Sequence, residues 1–105
     1  MTFLEASQIV LENNLNNPMT ASEIWDKIIE LNLILEYGKT PKLSLNTILH
    51  RSELFLTIKE KSPDKFIYKR YVPKNVKDSL IEAGFLTEER LLEILEKNNI
   101  KINNL

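Results

Sequence analysis

The first thirty residues carry the apolar and polar spacing of two amphipathic helices. Apolar residues recur every three or four positions over residues 3–11 and again over 24–31, a spacing that places them on one face of a helix. Each run is associated with the Thr-x-x-Glu pattern of a capping box, in Thr2 with Glu5 and in Thr20 with Glu23. We therefore predict two helices with defined starts, the first ending near Asn13. Trp25, on the inner stripe of the second helix, is expected in the core.

A third helix is predicted from Pro41 to about Arg51. Thr40 suits the cap position, and Pro41 suits the first turn because its missing N–H is no loss there. At about 100° per residue, three apolar side chains share an inner face: Leu45, Ile48 and Leu49. The outer face carries Leu43, Asn46, Thr47 and His50, flanked by Lys42, Ser44 and Arg51. Such a helix packs on its neighbours and presents polar side chains outward.

Beyond this helix the apolar pattern changes to a period of two, which indicates strands. Residues 54–58 and 66–71 are predicted strands, and the Ser-Pro-Asp sequence at 62–64 is typical of a turn. Together they predict a β-hairpin with a basic tip formed by Lys59, Lys61 and Lys65. An alternative, in which the third helix continues to Lys61, stays open because a short apolar run fits either structure.

Two more helices are predicted after Pro73. One covers residues 75–83 and ends at Gly84, which can adopt the positive φ of a helix stop. The other follows the capping residue Thr87 and turns four apolar side chains to one side: Leu91, Leu92, Ile94 and Leu95. Residues 97–105 are polar with scattered apolar positions, and we expect them to fray.

Three helices, a hairpin wing and additional C-terminal helices predict a mainly α (α+β) fold of the winged helix-turn-helix type. We assign residues 1–73 to the winged helix and residues 74–105 to a C-terminal helical extension. Two roles are open for the extension: it forms a homodimer as a helical pair, or it begins a further module.

Composition argues against several classes of function. The 105 residues contain one histidine and no cysteine, which removes disulfides, thiolate metal sites and histidine clusters. Gly38-Lys39-Thr40 is similar to the end of a phosphate-binding loop, but the upstream glycine and a preceding strand are missing. The chain starts with no signal peptide and has no run long enough to span a bilayer. We expect a cytoplasmic protein with no membrane partner, no cofactor and no catalysis by itself.

Charge is unevenly distributed although the net charge is −1. Residues 38–77 contain ten Lys or Arg and three acids, whereas the remaining residues contain four Lys or Arg and twelve acids. A basic segment in an otherwise acidic chain indicates a surface that faces a polyanion. A dipolar solvated surface explains the same charges equally well.

The basic segment coincides with the third helix and the hairpin, so we predict that both contact double-stranded DNA. A helix fits the major groove, and lysines at a hairpin tip reach phosphates. The predicted DNA-binding residues are Lys39, Thr40, Lys42, Ser44, Asn46, Thr47, His50, Arg51, Lys59, Lys61, Lys65 and Lys69. Asn46 and Thr47 are the expected base readers, while His50 and Arg51 are expected on a base or a phosphate. The alternative is the ordinary solvated face of an amphipathic helix.

Four apolar or aromatic side chains of this region have more than one interpretation. Leu43, on the outer helix face, packs on a thymine methyl, on the hairpin or on a partner protein. Phe66, Tyr68 and Tyr71 stack on bases, as in single-strand binders, or lie half buried against the helices.

Four segments of the chain form a characteristic set. They are Thr2-Phe3-Leu4-Glu5-Ala6, Pro18-Met19-Thr20 with Glu23-Ile24-Trp25, Gly38-Lys39-Thr40-Pro41, and Ser62-Pro63-Asp64-Lys65-Phe66. Over about residues 2–71 the chain thereby resembles the HARE-HTH domain, a winged helix of restriction-associated proteins, Asx-like chromatin regulators and the δ subunit of bacterial RNA polymerase. It departs from the family in two respects. Residues 69–73 lack the glycine usual in the final strand, and the segment from Pro41 to Phe66 is longer.

The resemblance implies binding of DNA, including sensing of DNA or of its modification state, beside nuclease modules in restriction-associated members. We therefore expect a DNA-binding winged helix that acts as the targeting or regulatory part of a restriction-modification system. Because the δ-subunit relatives bind polymerase, the alternative is a protein-interaction module for a nuclease or a transcription partner.

Overall fold

Three helices build the N-terminal half, as the apolar pattern predicts. The computed structural model describes residues 1–14, 17–69, 72–100 and 102–103. The helices are α1 (Phe3–Asn13), α2 (Ala21–Glu30) and α3 (Pro41–Arg51). Their predicted limits are therefore confirmed, including the end of α1 at Asn13 and the start of α3 at Pro41.

Both predicted capping boxes are confirmed. The Thr2 hydroxyl accepts from the Glu5 N–H, and the Glu5 carboxylate accepts from the Thr2 N–H, each at 3.1 Å. Thr20 and Glu23 make the same two bonds at 2.9 and 3.1 Å. The hydrogen bond from the Thr2 backbone, followed by that with its side chain, lowers the pKa of the Glu5 carboxyl because both favour the ionised form. Each box satisfies two N–H groups that the first helical turn leaves without partners.

The predicted side-chain cap of α3 is wrong. Thr40 is exposed, has φ −127° and ψ 61°, and makes no capping hydrogen bond through its hydroxyl. Its backbone carbonyl still accepts from the Ser44 N–H at 3.1 Å. Pro41, whose ring fixes φ near the helical value, starts this helix without a side-chain cap.

A three-stranded antiparallel sheet completes the winged helix. Its strands are β1 (Met19–Thr20), β2 (Phe55–Ile58) and β3 (Lys65–Tyr68), in the order β1-β3-β2. In the hairpin of β2 and β3, Leu56 lies opposite Ile67 and Thr57 opposite Phe66. The hairpin prediction is confirmed, and the alternative that α3 continues to Lys61 is excluded.

Two details of the sheet differ from expectation. The sequence analysis does not predict β1, which pairs Met19 with Phe66 and is too short to carry a period of its own. The returning strand ends at Tyr68 instead of residue 71, although the Lys69 N–H still donates to the Leu54 carbonyl at 2.9 Å. Residues 70 and 71 lie outside the described part of the chain.

One face of the sheet packs on α1, α2 and α3 to form the first core. Its completely buried side chains include Val10, Leu11, Ile24, Ile28, Leu45, Leu49 and Phe66. Trp25 is buried in this core, as predicted, with its ring edge-on to Phe3 at a centroid distance of 5.6 Å. Burial of Leu45 and Leu49 fixes which face of α3 points to solvent.

The opposite face of the sheet is covered by two further helices, α4 (Lys74–Glu82) and α5 (Glu88–Lys97). A second core forms there from Leu56, Ile58, Ile67, Val76, Leu80, Phe85, Leu91 and Leu95. Gly84 has φ +69° at the stop after α4, and the Thr87 hydroxyl accepts from the Arg90 N–H at 3.3 Å at the start of α5, both as predicted. Leu92, predicted with the inner residues, is wrong because it is 48 % exposed.

The chain beyond α5 is more ordered than predicted. Residues Ile102–Asn103 form β5, which pairs in parallel with β4 (Val72–Pro73). The expected fraying is therefore not found at the described residues of the tail, and positions 101, 104 and 105 lie outside them. Within the described ranges, no helix combines the length and the apolar character that crossing a membrane requires.

Candidate nucleic-acid interface

The outer face of α3 is open to solvent. Leu43 is 65 % exposed, Ser44 and Thr47 are exposed, and Asn46 is half buried. The Thr47 hydroxyl donates to the Leu43 carbonyl at 3.1 Å, which leaves its oxygen free to accept a further bond. The predicted outer residues thus stand on one exposed helix face, in the position from which a helix reads base edges.

His50 lies on this face but is held inside the chain. Its Nδ1 donates to the Asn46 carbonyl at 2.8 Å, and its Nε2 donates to Asp64 Oδ2 at 2.9 Å. Both partners are acceptors, so a ring that makes both contacts at once carries a hydrogen on each nitrogen. The ring also stands edge-on to Phe66 with centroids 5.0 Å apart. Because both nitrogens have partners, His50 is built as a link between α3 and the hairpin.

The N-terminal end of α3 is tied to α2. Lys42 Nζ donates to the Ser22 hydroxyl at 2.9 Å and lies 3.6 Å from Asp26 Oδ1. This pair is exposed, so the lysine is able to exchange its partner for a phosphate at small cost. Lys39 and Thr40 are exposed in the segment just before the helix.

We define the wing loop as residues 59–64, between β2 and β3. Lys59 and Lys61 are exposed in this loop. Three contacts hold its surroundings: Asp64 bonds to His50, Glu60 bonds to Arg90 at 2.8 Å, and Lys65 Nζ lies 5.1 Å from the centroid of the Phe85 ring. The wing therefore lies between α3 and the C-terminal helices, and the Lys65 cation is partly engaged by an aromatic face.

A groove of about 740 Å³ runs between the C-terminal end of α3, strand β2 and helix α5. Its lining includes five cations, Arg51, Lys59, Lys69, Arg90 and Lys97, and three acids, Glu53, Glu60 and Glu93. The structure thus brings together four predicted residues in this lining: His50, Arg51, Lys59 and Lys69. Sequence reasoning missed Arg90 and Lys97, because nothing local indicates that α5 docks beside α3.

Arg90 is the tethered cation of the groove. Its Nε donates to Glu60 Oε1 at 2.8 Å and its Nη1 donates to Glu93 Oε2 at 3.1 Å. These bonds, the one to Glu60 first, raise the pKa of the guanidinium above its ordinary value because they stabilise the charged form. Glu60 belongs to the wing loop and Glu93 to α5, so Arg90 fixes one element against the other.

Besides Lys65, which lies against the Phe85 ring, six cations have no carboxylate partner among the described residues: Lys39, Arg51, Lys59, Lys61, Lys69 and Lys97. Lys39 precedes α3 and Arg51 ends it, whereas Lys59 and Lys61 belong to the wing loop. Unpaired cations around an exposed helix are the groups that neutralise phosphates.

Base stacking by the hairpin aromatics is not supported. Phe66 is completely buried and Tyr68 nearly so, in the core that faces α1 to α3. Tyr71 lies outside the described residues. Nor do the described side chains contain three His, Asp or Glu residues grouped to hold a metal ion.

A family model matches residues 1–65. It is HARE-HTH, described as a helix-turn-helix domain of ASXL and restriction endonuclease proteins. The matched part contains α1 to α3, β1, β2 and the wing loop, whereas Lys69, α4 and α5 lie beyond it. Comparison with curated proteins gave no match, and comparison with solved structures gave none.

Proposed function

Because the chain belongs to the HARE-HTH family of DNA-binding winged helices, we propose that it binds double-stranded DNA with α3 in the major groove and the wing loop on the backbone. The observation that carries this proposal is the solvent-exposed face around Thr47, bordered by Arg51 at the end of α3 and by Lys59 of the wing loop. An exposed helix among unpaired cations matches the division between base contacts and phosphate contacts in such complexes.

The candidate residues take different parts in this arrangement. Asn46, Thr47 and Ser44 face the bases, and Leu43 packs on a thymine methyl. The backbone contacts come from Lys39, Thr40, Lys42, Arg51, Lys59, Lys61, Lys65 and Lys69. His50 acts by positioning the wing loop, because its two ring nitrogens are already bonded to Asn46 and Asp64.

Anisotropy of a labelled duplex over a salt series tests this function. The wild-type affinity should fall linearly with salt on logarithmic axes, with a slope of about −0.9 for each phosphate contacted. The triple variant Arg51→Ala/Lys59→Ala/Lys61→Ala should be less steep by about 2.7 on the same scale. As a control of equal chemistry, Lys77→Ala removes an α4 cation paired with Glu88 and should leave the slope unchanged. Equal slopes for wild type and triple variant would reject the proposed face.

We further propose that the domain serves as the targeting part of a restriction-modification system. Support comes from the family description, which includes a restriction endonuclease. The same duplex, methylated and unmethylated, should then bind with different affinities at one fixed salt concentration. Identical affinities over several modified sequences would contradict a sensing role while leaving DNA binding intact.

A second function, that of a protein-interaction module, is favoured by exposed apolar side chains near α3. Leu35 is 79 %, Leu43 65 % and Tyr37 52 % exposed, and large exposed apolar groups are common at protein contacts. This function replaces the first if no duplex binds at roughly 50 mM salt, where phosphate contacts are strongest. Co-elution with a purified nuclease or polymerase partner, lost in Leu35→Asp, would then support it.

A further inference from the structure

Helix α5 stands beside the DNA-facing side of the winged helix because its apolar face is used elsewhere. Leu91 and Leu95 are buried against Leu56 and Ile67 in the second core. Docking that face fixes the helix about its own axis, so that Arg90 and Lys97 reach the groove beside α3. The position of α5 is thus set by the packing of its leucines, and the cations follow from it.

The groove collects unpaired positive charge from three separate elements. Arg51 ends α3, Lys69 follows β3, and Lys97 is in the last turn of α5, and none of them has a carboxylate partner among the described residues. The groove acids are partly accounted for, since Glu60 and Glu93 both bond to Arg90. What remains is a cationic channel open to solvent.

We infer that this groove holds the phosphate backbone of the same duplex that α3 reads, so that α5 forms a second wall of the DNA interface. The inference rests on the proposed function and extends it to residues that lie beyond the family match. It adds Lys97 as a phosphate contact. It gives Lys69 the same role within the groove, beside Arg51.

A nucleic-acid backbone fits this groove better than a small anion does. Cations contributed by the end of a helix, the end of a strand and a second helix form a line of separate points. A polyanion with regularly spaced charges contacts several of these points at once, whereas one phosphate ion reaches few. The groove is also continuous with α3 at Arg51, so a strand leaving the major-groove contact passes directly into it.

The test compares Lys97→Ala with Lys27→Ala in duplex-binding salt series. Lys27 is on α2, pairs with Glu30, and does not line the groove, so both variants remove one exposed helical cation from the full chain. Lys97→Ala should make the logarithmic salt slope shallower by about 0.9, and Lys27→Ala should not change it. Lys69→Ala, on a different element, should produce the same loss as Lys97→Ala.

Hydroxyl-radical footprinting then locates the lost contact. Lys97→Ala should abolish protection over one short stretch of backbone at the edge of the site and leave protection elsewhere intact. If the wild type binds and Arg51→Ala/Lys59→Ala/Lys61→Ala reduces the slope while Lys97→Ala and Lys69→Ala do not, only this inference is overturned. If the wild-type chain binds no duplex, the proposed function and this inference fail together.

Discussion

Replacing Asp64 is expected to weaken DNA binding even though it removes a negative charge from a cationic surface. Asp64 accepts from His50 Nε2 at 2.9 Å and thereby holds the wing loop against α3. We compare Asp64→Ala, which removes the acceptor, with Asp64→Asn, which keeps an acceptor oxygen of similar reach and removes the charge. The two substitutions therefore separate positioning from electrostatics.

The magnitudes follow from the exposure of the pair. The side chains of His50 and Asp64 are 30 % and 29 % exposed, between a surface pair worth about 0.2–1 kcal/mol and a charged buried hydrogen bond worth about 1.5–3 kcal/mol. We take about 1 kcal/mol for the link, which corresponds to roughly fivefold in affinity if the loop must be held for binding. Removing one charge about 10 Å from a phosphate gains about 0.4 kcal/mol in water, roughly twofold.

Asp64→Ala should therefore bind a duplex about two- to threefold more weakly than wild type, and Asp64→Asn equally well or up to about twofold more tightly. Duplex anisotropy at fixed pH and salt measures both, and urea unfolding of the same samples should show losses within about 1 kcal/mol. The positioning argument is refuted if Asp64→Ala binds as tightly as Asp64→Asn, because then the surface charge alone governs affinity.

Three further predictions concern the fold that supports this site. Thr20→Ala should lower the free energy of unfolding by about 1 kcal/mol through loss of a capping bond, whereas Thr40→Ala, whose hydroxyl makes no such bond, should change it by less than about 0.5 kcal/mol; equal losses in urea titrations would contradict the cap assignment. Leu49→Ala and Leu91→Ala, in the two cores on either side of the shared sheet, should each cost about 2–5 kcal/mol and shift one common transition, and two separate transitions would show that the cores unfold independently. The lowered pKa of Glu5 means that its contribution to stability is present above the carboxyl's unfolded-state pKa and is lost as pH falls through the folded value; NMR titration of this carboxyl should give a midpoint below that of an unfolded peptide, and a midpoint at or above it would contradict the capping box.

Local signals in the sequence predict much of the fold. The capping boxes at Thr2 and Thr20 involve residues three apart, so the spacing by itself carries the information. The inner face of α3 follows from the helical period at Leu45 and Leu49. Thr40 is the exception, because a suitable residue type at a cap position does not guarantee the backbone angles that the capping bond needs.

Contacts between distant residues could not be predicted. Strand β1 has two residues and is defined only by its partner Phe66. The His50–Asp64 bond joins residues fourteen positions apart, and the Arg90–Glu60 bond joins residues thirty apart. The groove beside α3 depends on how α5 docks, and a pattern of leucines shows that a helix has an apolar face without showing what it covers.

The central claim is that the outer face of α3 and the wing loop form one DNA-binding surface. Titration of the isotope-labelled protein with a duplex, followed by backbone amide shifts, tests it directly. The largest changes should fall at Leu43, Thr47, Arg51, Lys59 and Lys61. Changes centred on α1, with these five amides unmoved, would contradict the account.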